Sequence, residues 1–147
     1  MSDDRSFEIG GREFKLNKID AMKQFHVARR IGPILAELVP AMKGISKVNS
    51  DSMTEEQKLE EFARIATPFM AGISKLSDAD SDYVLYRLLS AVEVKQPASN
   101  SWARIAVIGP DGNAMLMMQD LELPMLLQAA GRALMYNLSG FFASLRR

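Results

Sequence analysis

The chain has 147 residues, no formal net charge at neutral pH and no cysteine. This length suits one hydrophobic core, and we expect residues 1–147 to form a single domain. The balanced charge argues against a nucleic-acid-binding protein, and the lack of cysteine excludes disulfides and thiolate metal sites. No apolar segment is long enough for a membrane span and no signal core follows Met1, so we expect a cytoplasmic protein.

The first predicted element is a small N-terminal β-hairpin. Residues 7–9 and 13–16 alternate apolar and polar side chains around Gly10-Gly11, a favoured two-residue turn. An isolated hairpin is barely stable in water, so we expect this one to pack on the rest of the protein.

Three amphipathic helices are predicted between residues 17 and 92. Their predicted N-caps are Asn17, Ser52 or Thr54, and Ser77. Pro33 and Pro68 are expected to kink or split the first two helices, and the third is expected to run through Val92. The predicted apolar stripes are Met22, Phe25, Val27, Ile31, Leu35, Leu38 and Met42 in the first helix, Leu59, Phe62, Ala66, Phe69 and Ile73 in the second, and Val84, Leu85, Leu88 and Leu89 in the third.

The last quarter of the chain is predicted to form a second hairpin and a long helix. The turn Gly109–Asn113 separates the apolar segments 105–108 and 114–117, and Pro124 suits the first turn of a helix. The apolar stripe of this helix is Leu127, Ala130, Leu134, Leu138, Phe141 and Leu145, with Gln128, Arg132, Ser139 and Arg146 on the opposite side. The overall prediction is a mainly α fold with minor β content: about four helices and two hairpins.

No motif for catalysis or metal binding is found. His26 is the single histidine, and no orienting partner for it is visible. The acidic segment 78–82 fails as a calcium loop, because Tyr83 and Leu89 stand where glycine and glutamate are required. We therefore predict a non-enzymatic protein without a metal or cofactor.

Charge is uneven along the chain. The N-terminal third is basic and the middle is acidic, the latter through Asp51, Glu55, Glu56, Glu60 and Glu61. A basic face can bind phosphate or an acidic protein surface, but it is also the ordinary composition of a solvated helix. The basic residues are Arg12, Lys15, Lys18, Lys23, Arg29 and Arg30.

Two blocks of sequence resemble the tail assembly chaperones of long-tailed bacteriophages and prophages. The first is residues 14–30, where a strand leads into a helix of the form A-x-x-Q-F-H-x-A-R-R. The second comprises residues 118–124, with the sequence MQDLELP, and residues 131–142, with the sequence GRALMYNLSGFF. With the strand pair that precedes the second block, the resemblance covers about half of the chain.

This resemblance implies a function. Such chaperones are small, mainly helical and cytoplasmic, and they bind the long, helix-rich tape measure protein and keep it soluble during tail tube assembly. They are absent from the finished virion. Many are also made in a longer, frameshifted form that recruits tail tube protein; a protein sequence does not show whether such a form exists for the present chain. The expected partners are thus the tape measure protein and, as a further candidate, the tail tube protein; a homo-oligomer is also considered.

The candidate binding surface lies on the C-terminal helix and its hairpin. A second apolar strip runs along that helix away from its main stripe, and it needs a second neighbour: a client, another subunit or the rest of this chain. Methionine suits surfaces that adapt to apolar partners, although it also fills cores. The candidate protein-binding residues are Met117, Met125, Ala129, Tyr136, Phe142, Ala143, Arg29 and Arg30.

Two other functional classes are kept open. A structural tail-completion or connector protein would remain in the virion, where mass spectrometry would detect it. A small nucleic-acid-binding regulator would use the basic segment from Arg12 to Arg30 and would bind DNA in a salt-dependent way.

Overall fold

The computed structural model describes residues 5–34, 36, 54, 56–57, 60, 67, 70–118 and 120–145, the last seven of them by their backbone only. The elements in chain order are β1 (Ser6–Ile9), β2 (Arg12–Leu16), α1 (Ala21–Ile31), a 3-10 turn (Gly32–Ile34), α2 (Asp78–Leu89), β3 (Val92–Lys95), β4 (Trp102–Arg104), β5 (Ala106–Ile108), β6 (Ala114–Leu116) and α3 (Leu123–Leu145). Residues 71–73 and several positions between 56 and 70 are also helical.

The prediction of a mainly α fold is wrong, because the protein is α+β. Strands β1 to β4 form one antiparallel sheet in that order, and β5 and β6 form a second sheet of two strands. Both predicted hairpins are present, but each supplies only part of the β-structure. The missed strands are β3 and β4: the third helix ends at Leu89, and Val92 begins β3 instead of ending a helix.

The four-stranded sheet has one buried and one charged face. Phe14 and Leu16 of β2 are paired with Val94 and Val92 of β3, and all four side chains are buried. The alternate positions carry charge, and Lys95 Nζ lies 3.6 Å from Glu13 Oε2 across that face. This alternation is typical of an antiparallel sheet that packs on a core with one side only.

Helix α1 begins later than predicted. Its N-cap is Asp20, whose Oδ1 accepts a hydrogen bond from the backbone N–H of Lys23 at 2.9 Å, and this bond lowers the pKa of the Asp20 carboxyl. Asn17, the predicted cap, instead donates its backbone N–H to the Ala91 carbonyl and so belongs to the sheet. The predicted break at Pro33 is confirmed, because α1 ends at Ile31 and a 3-10 turn follows.

The two other predicted N-caps are found. Thr54 Oγ1 accepts from the Gln57 N–H at 3.1 Å while Gln57 Oε1 accepts from the Thr54 N–H, a reciprocal capping box. Ser77 caps α2 by accepting from the Asp80 N–H. Of the first and second predicted stripes, Leu35, Leu38, Met42, Leu59, Phe62, Ala66 and Phe69 lie outside the described residues, as do Ser52 and Pro68.

Helix α3 is the longest element, and it packs along the buried face of the sheet and against α2 and α1. Its predicted stripe is buried at Leu127, Ala130, Leu134 and Leu138. Gln128 was predicted on the polar side, and this is wrong, because it is only 3% exposed on a helix that packs against both the sheet and α2. The side chains of Ser139, Phe141 and Leu145, and the whole of Arg146, lie outside the described residues.

Within the described ranges, no helix combines the length and apolar character that a membrane crossing requires.

Candidate functional site

An apolar groove of about 310 Å³ lies between α1 and α3. We call it the α1–α3 groove. Its wall is Phe25, whose side chain is 55% exposed, and Leu138 of α3 is buried beneath it. The alanines of α1 leave room for the opening, because they have no side chain beyond Cβ. The complete described lining is Ala21, Gln24, Phe25, Ala28, Arg29 and Leu138.

The two helices are held together by the buried side chain of Asn137. Its Oδ1 accepts from the Ile19 backbone N–H at 2.8 Å and from Gln24 Nε2 at 3.2 Å. Its Nδ2 donates to the Asn17 carbonyl at 3.2 Å and to the Ala133 carbonyl at 2.9 Å. All four hydrogen-bonding positions of this amide are used, so the segment that leads into α1 is fixed against α3. The groove is therefore preformed.

One described lining residue of the groove, Arg29, is basic, and a second basic residue, Lys18, lies on the segment that leads into α1. Arg29 is exposed, and its Nε donates to His26 Nδ1 at 3.3 Å. Lys18, just before α1, lies 4.2 Å above the Tyr136 ring and donates to the Tyr136 backbone carbonyl. Neither Lys18 nor Arg29 has a carboxylate partner among the described residues, whereas Lys23 is paired with Asp20 at 3.3 Å. The groove thus favours an apolar ligand with acidic groups beside its apolar part.

Arg30 has a different position from Arg29. Its Nε lies 3.2 Å from Asp80 Oδ1, its Nη1 donates to the His26 carbonyl, and its guanidinium lies 3.7 Å from the Tyr83 ring centroid. These contacts join α1 to α2. Of the two arginines predicted to bind protein, only Arg29 lines the groove.

The described residues of the predicted second strip on α3 have neighbours in the N-terminal part of the same chain. Met125 Cε lies 2.9 Å from the position that a Cβ on Gly10 would occupy, and Ala129 is completely buried. Arg132 lies 4.7 Å from the Phe7 ring, and its burial lowers the pKa of its guanidinium. Tyr136 lies beneath Lys18. Met125, Ala129 and Tyr136 therefore have their neighbour within this chain, and we leave them out of the surface proposed below.

Met117 lies away from the groove. It is exposed on the outer side of the β5–β6 hairpin together with Val107 and Met115. The two remaining predicted residues, Phe142 and Ala143, have side chains outside the described part of the chain. The six predicted residues whose side chains are described are thus distributed over several surfaces.

Met22 and Phe25 of α1 are exposed, which the sequence interpretation missed. Both were assigned to the apolar stripe of the first helix, yet Met22 is 64% exposed. Only Val27 and Ile31 of α1 are buried. Met22 and Phe25 lie on the opposite side of the helix from Val27 and Ile31, so both sides of α1 carry apolar residues and the spacing alone does not mark the buried side.

A wider cleft of about 490 Å³ separates α2 from the turn of the β5–β6 hairpin. Its lining is more polar and includes Tyr83, Tyr86, Asp82 and Arg87. The charges of Asp82 and Arg87 oppose each other, so this cleft has no net charge preference, and we regard the α1–α3 groove as the better candidate. No group of three residues suited to holding a metal ion occurs in the described part of the chain.

One comparison with known proteins gives a match. A protein-family model described as "Phage tail assembly chaperone protein, TAC" matches residues 10–146. This range includes the α1–α3 groove, the Asn137 hydrogen bonds and both hairpins apart from β1. Searches of curated proteins and of solved structures gave no match.

Proposed function

Because this chain belongs to the phage tail assembly chaperone family, we propose that it binds the tape measure protein and keeps it soluble while tail tube subunits assemble around it. The family implies a non-enzymatic role and partners among the phage tail proteins. We further propose that this binding takes place in the host cytoplasm and that the chaperone is absent from the mature virion.

The observation that carries the proposal is the preformed apolar groove with Phe25 exposed at its wall and Arg29 at its rim. An amphipathic helix can lay its apolar face into such a groove. Tape measure proteins are expected to be long and helix-rich, so they offer many segments of this kind. A segment with acidic residues beside its apolar face would fit best, since Lys18 and Arg29 lack described carboxylate partners.

The energy of this contact can be estimated from Phe25. A phenylalanine buries about 150–250 Å² when it is fully covered. Covering the exposed half, about 100 Å², would contribute roughly 2–3 kcal/mol. The rim charges are solvent-exposed and would contribute less, about 1 kcal/mol or below each, while they orient the client and speed its association.

Co-expression tests the proposal. We expect the tape measure protein of the same phage to aggregate when it is expressed alone, and to stay soluble and co-purify when this chain is expressed with it. An unrelated aggregating protein of similar length serves as control and should gain no solubility. Aggregation of the tape measure protein regardless of the chaperone would contradict the proposal.

The alternative function is that of a structural component that is retained in the virion. Mass spectrometry of purified virions separates the two functions, because a chaperone should be missing and a connector should be present in stoichiometric amounts. The nucleic-acid alternative has less support: Arg12 is paired with Asp120 at 2.6 Å and Arg30 with Asp80, so two of its basic residues are already engaged.

A further inference from the structure

The α1 side of the α1–α3 groove has the spacing of a helix-packing site. Four of its lining residues stand at positions i, i+3, i+4 and i+7 of one helix, and they surround an open space of about 310 Å³. In a coiled coil, a set with this spacing forms the hole that receives one side chain, the knob, of the facing helix. The four residues are Ala21, Gln24, Phe25 and Ala28, and we call them the α1 hole.

Two alanines give the α1 hole its depth. Ala21 and Ala28 have no side-chain atoms beyond Cβ, so the axis of a facing helix can come close to α1 between them. Leu138 of α3 is buried below the hole, and Phe25 is 55% exposed beside it. The volume lies at the lower end of the range for small-molecule sites, about 300–1,000 Å³. It therefore suits single side chains of a polypeptide better than a larger free ligand.

Arg29 is a fixed positive charge one helical turn from Phe25. Residues four positions apart lie on the same side of a helix, and Arg29 lines the groove. Its Nε donates to His26 Nδ1 at 3.3 Å, and no described carboxylate pairs with the guanidinium. The two Nη groups are thus left to bind a carboxylate end-on, the bidentate geometry that distinguishes arginine from lysine.

We propose that the α1–α3 groove recognises one pattern in an α-helical segment of the tape measure protein. A large apolar side chain of the segment (leucine, methionine or phenylalanine) fills the α1 hole, and an aspartate or glutamate three or four positions away pairs with Arg29. Side chains with this spacing lie about 5–6 Å apart on one face of a helix, which matches the separation of one turn between Phe25 and Arg29. This inference rests on the proposed function and adds the sequence pattern of the client.

A second copy of the same groove fits this site less well than an acidic client. The basic residues near the groove, Arg29 and Lys18, have no carboxylate partner among the described residues. Asp20, at the start of α1, already accepts the cap bond and pairs with Lys23. Two such faces brought together would supply no free carboxylate to Arg29, whereas an acidic client supplies one.

Overlapping synthetic segments of the tape measure protein from the same phage test the inference. Segments of about 30 residues are long enough to form helices, and fluorescence anisotropy measures their binding to the full chain. The segments that bind most tightly should contain the pattern. Replacing its apolar residue by alanine, or a residue at the centre of the segment by proline, should weaken binding about tenfold or more, since proline disrupts a helix. A segment that binds equally well with the proline would overturn helical docking.

Ala28→Leu tests the α1 hole from the side of the chaperone. Side chains on a helix tilt toward its N-terminus, so leucine at position 28 would fill the hole. The variant should keep the circular dichroism spectrum and bind the best segment about tenfold more weakly, because the knob is excluded. Ala79→Leu, at an exposed alanine of α2, is the matched control and should bind within about twofold of the natural chain. Unchanged binding by Ala28→Leu would overturn the inference.

Charge exchange tests the contact with Arg29. Arg29→Glu should weaken binding of the best segment about fivefold, and lysine in place of the acidic residue of that segment should restore the affinity to within about twofold. Failure of this rescue would overturn the pairing. Segments that bind tightly and are insensitive to positions 28 and 29 would overturn the inference while leaving the proposed function intact. Lack of binding by every segment would contradict both.

Discussion

Asn137→Leu is expected to lower the free energy of unfolding by about 3 kcal/mol, because it removes four hydrogen bonds and takes this partner from the part-buried Ile19 N–H and Asn17 carbonyl. The Asn137 amide makes four hydrogen bonds, three of them to residues of the segment that leads into α1 or of α1 itself. Leucine has a similar volume, so packing is largely preserved and the effect reports the lost bonds. Urea denaturation followed by circular dichroism measures the change.

Gln24→Leu is the graded control for this prediction. It removes only the 3.2 Å bond from Gln24 Nε2 and leaves the bond from the Ile19 backbone to Asn137 intact. We expect a loss of about 1 kcal/mol or less. A similarly small effect of Asn137→Leu would show that Asn137 does not hold the N-terminal segment on α3.

Phe25→Asp is expected to weaken the binding of a soluble tape measure fragment by about tenfold or more, since an apolar contact worth roughly 2–3 kcal/mol is lost and a carboxylate enters the groove. Phe25 is exposed in the free protein, so the change should leave the free energy of unfolding nearly unaltered. Titration calorimetry with the purified fragment measures the affinity.

Leu123→Asp is the matched control for Phe25→Asp. Leu123 is 57% exposed, so Leu123→Asp places the same charge at an apolar surface position. This position lies on α3, about 22 Å along the helix from Leu138. We expect its affinity to stay within about twofold of the natural protein, because its exposed side chain makes no contact with the groove lining. Equal losses for the two variants would indicate a nonspecific effect of apolar surface or charge.

The elements that the sequence predicted well are those specified by neighbouring residues. Gly10 and Gly11 have φ angles of 57° and 81°, which glycine adopts easily, and they form the turn of the predicted hairpin. Gly112, with φ of 86°, lies in the second predicted turn. The cap at Ser77 is equally local, since a side chain bonds to a backbone group three residues away.

The missed features depend on contacts between distant residues. Strand β3 follows α2 after two residues, and it pairs with β2, which lies more than 70 positions earlier in the chain. The apolar residues of α2 and β3 therefore merged into one predicted helix. Asn17 has the local sequence features of an N-cap, but its backbone N–H donates to the Ala91 carbonyl and continues the pairing of β2 with β3.

The candidate site was predicted only in part for the same reason. Arg29 was identified as a binding residue, but the exposure of Phe25 could not be distinguished from core burial without knowing which face of α1 packs against α2 and α3. Asn137 gave a usable signal, since it is a polar residue beside the apolar stripe that contains Leu134 and Leu138. The single domain predicted for residues 1–147 stays a prediction.

Photo-cross-linking from position 25 tests the central claim, that the α1–α3 groove receives the tape measure protein, most directly. A photoreactive benzoylphenylalanine is placed at Phe25 or, as control, at Leu123, and each variant is co-expressed with the tape measure protein and irradiated. We predict a covalent adduct with the tape measure protein from position 25 and none from position 123. Adducts from position 123 without any from position 25 would contradict the account and place client binding outside the groove.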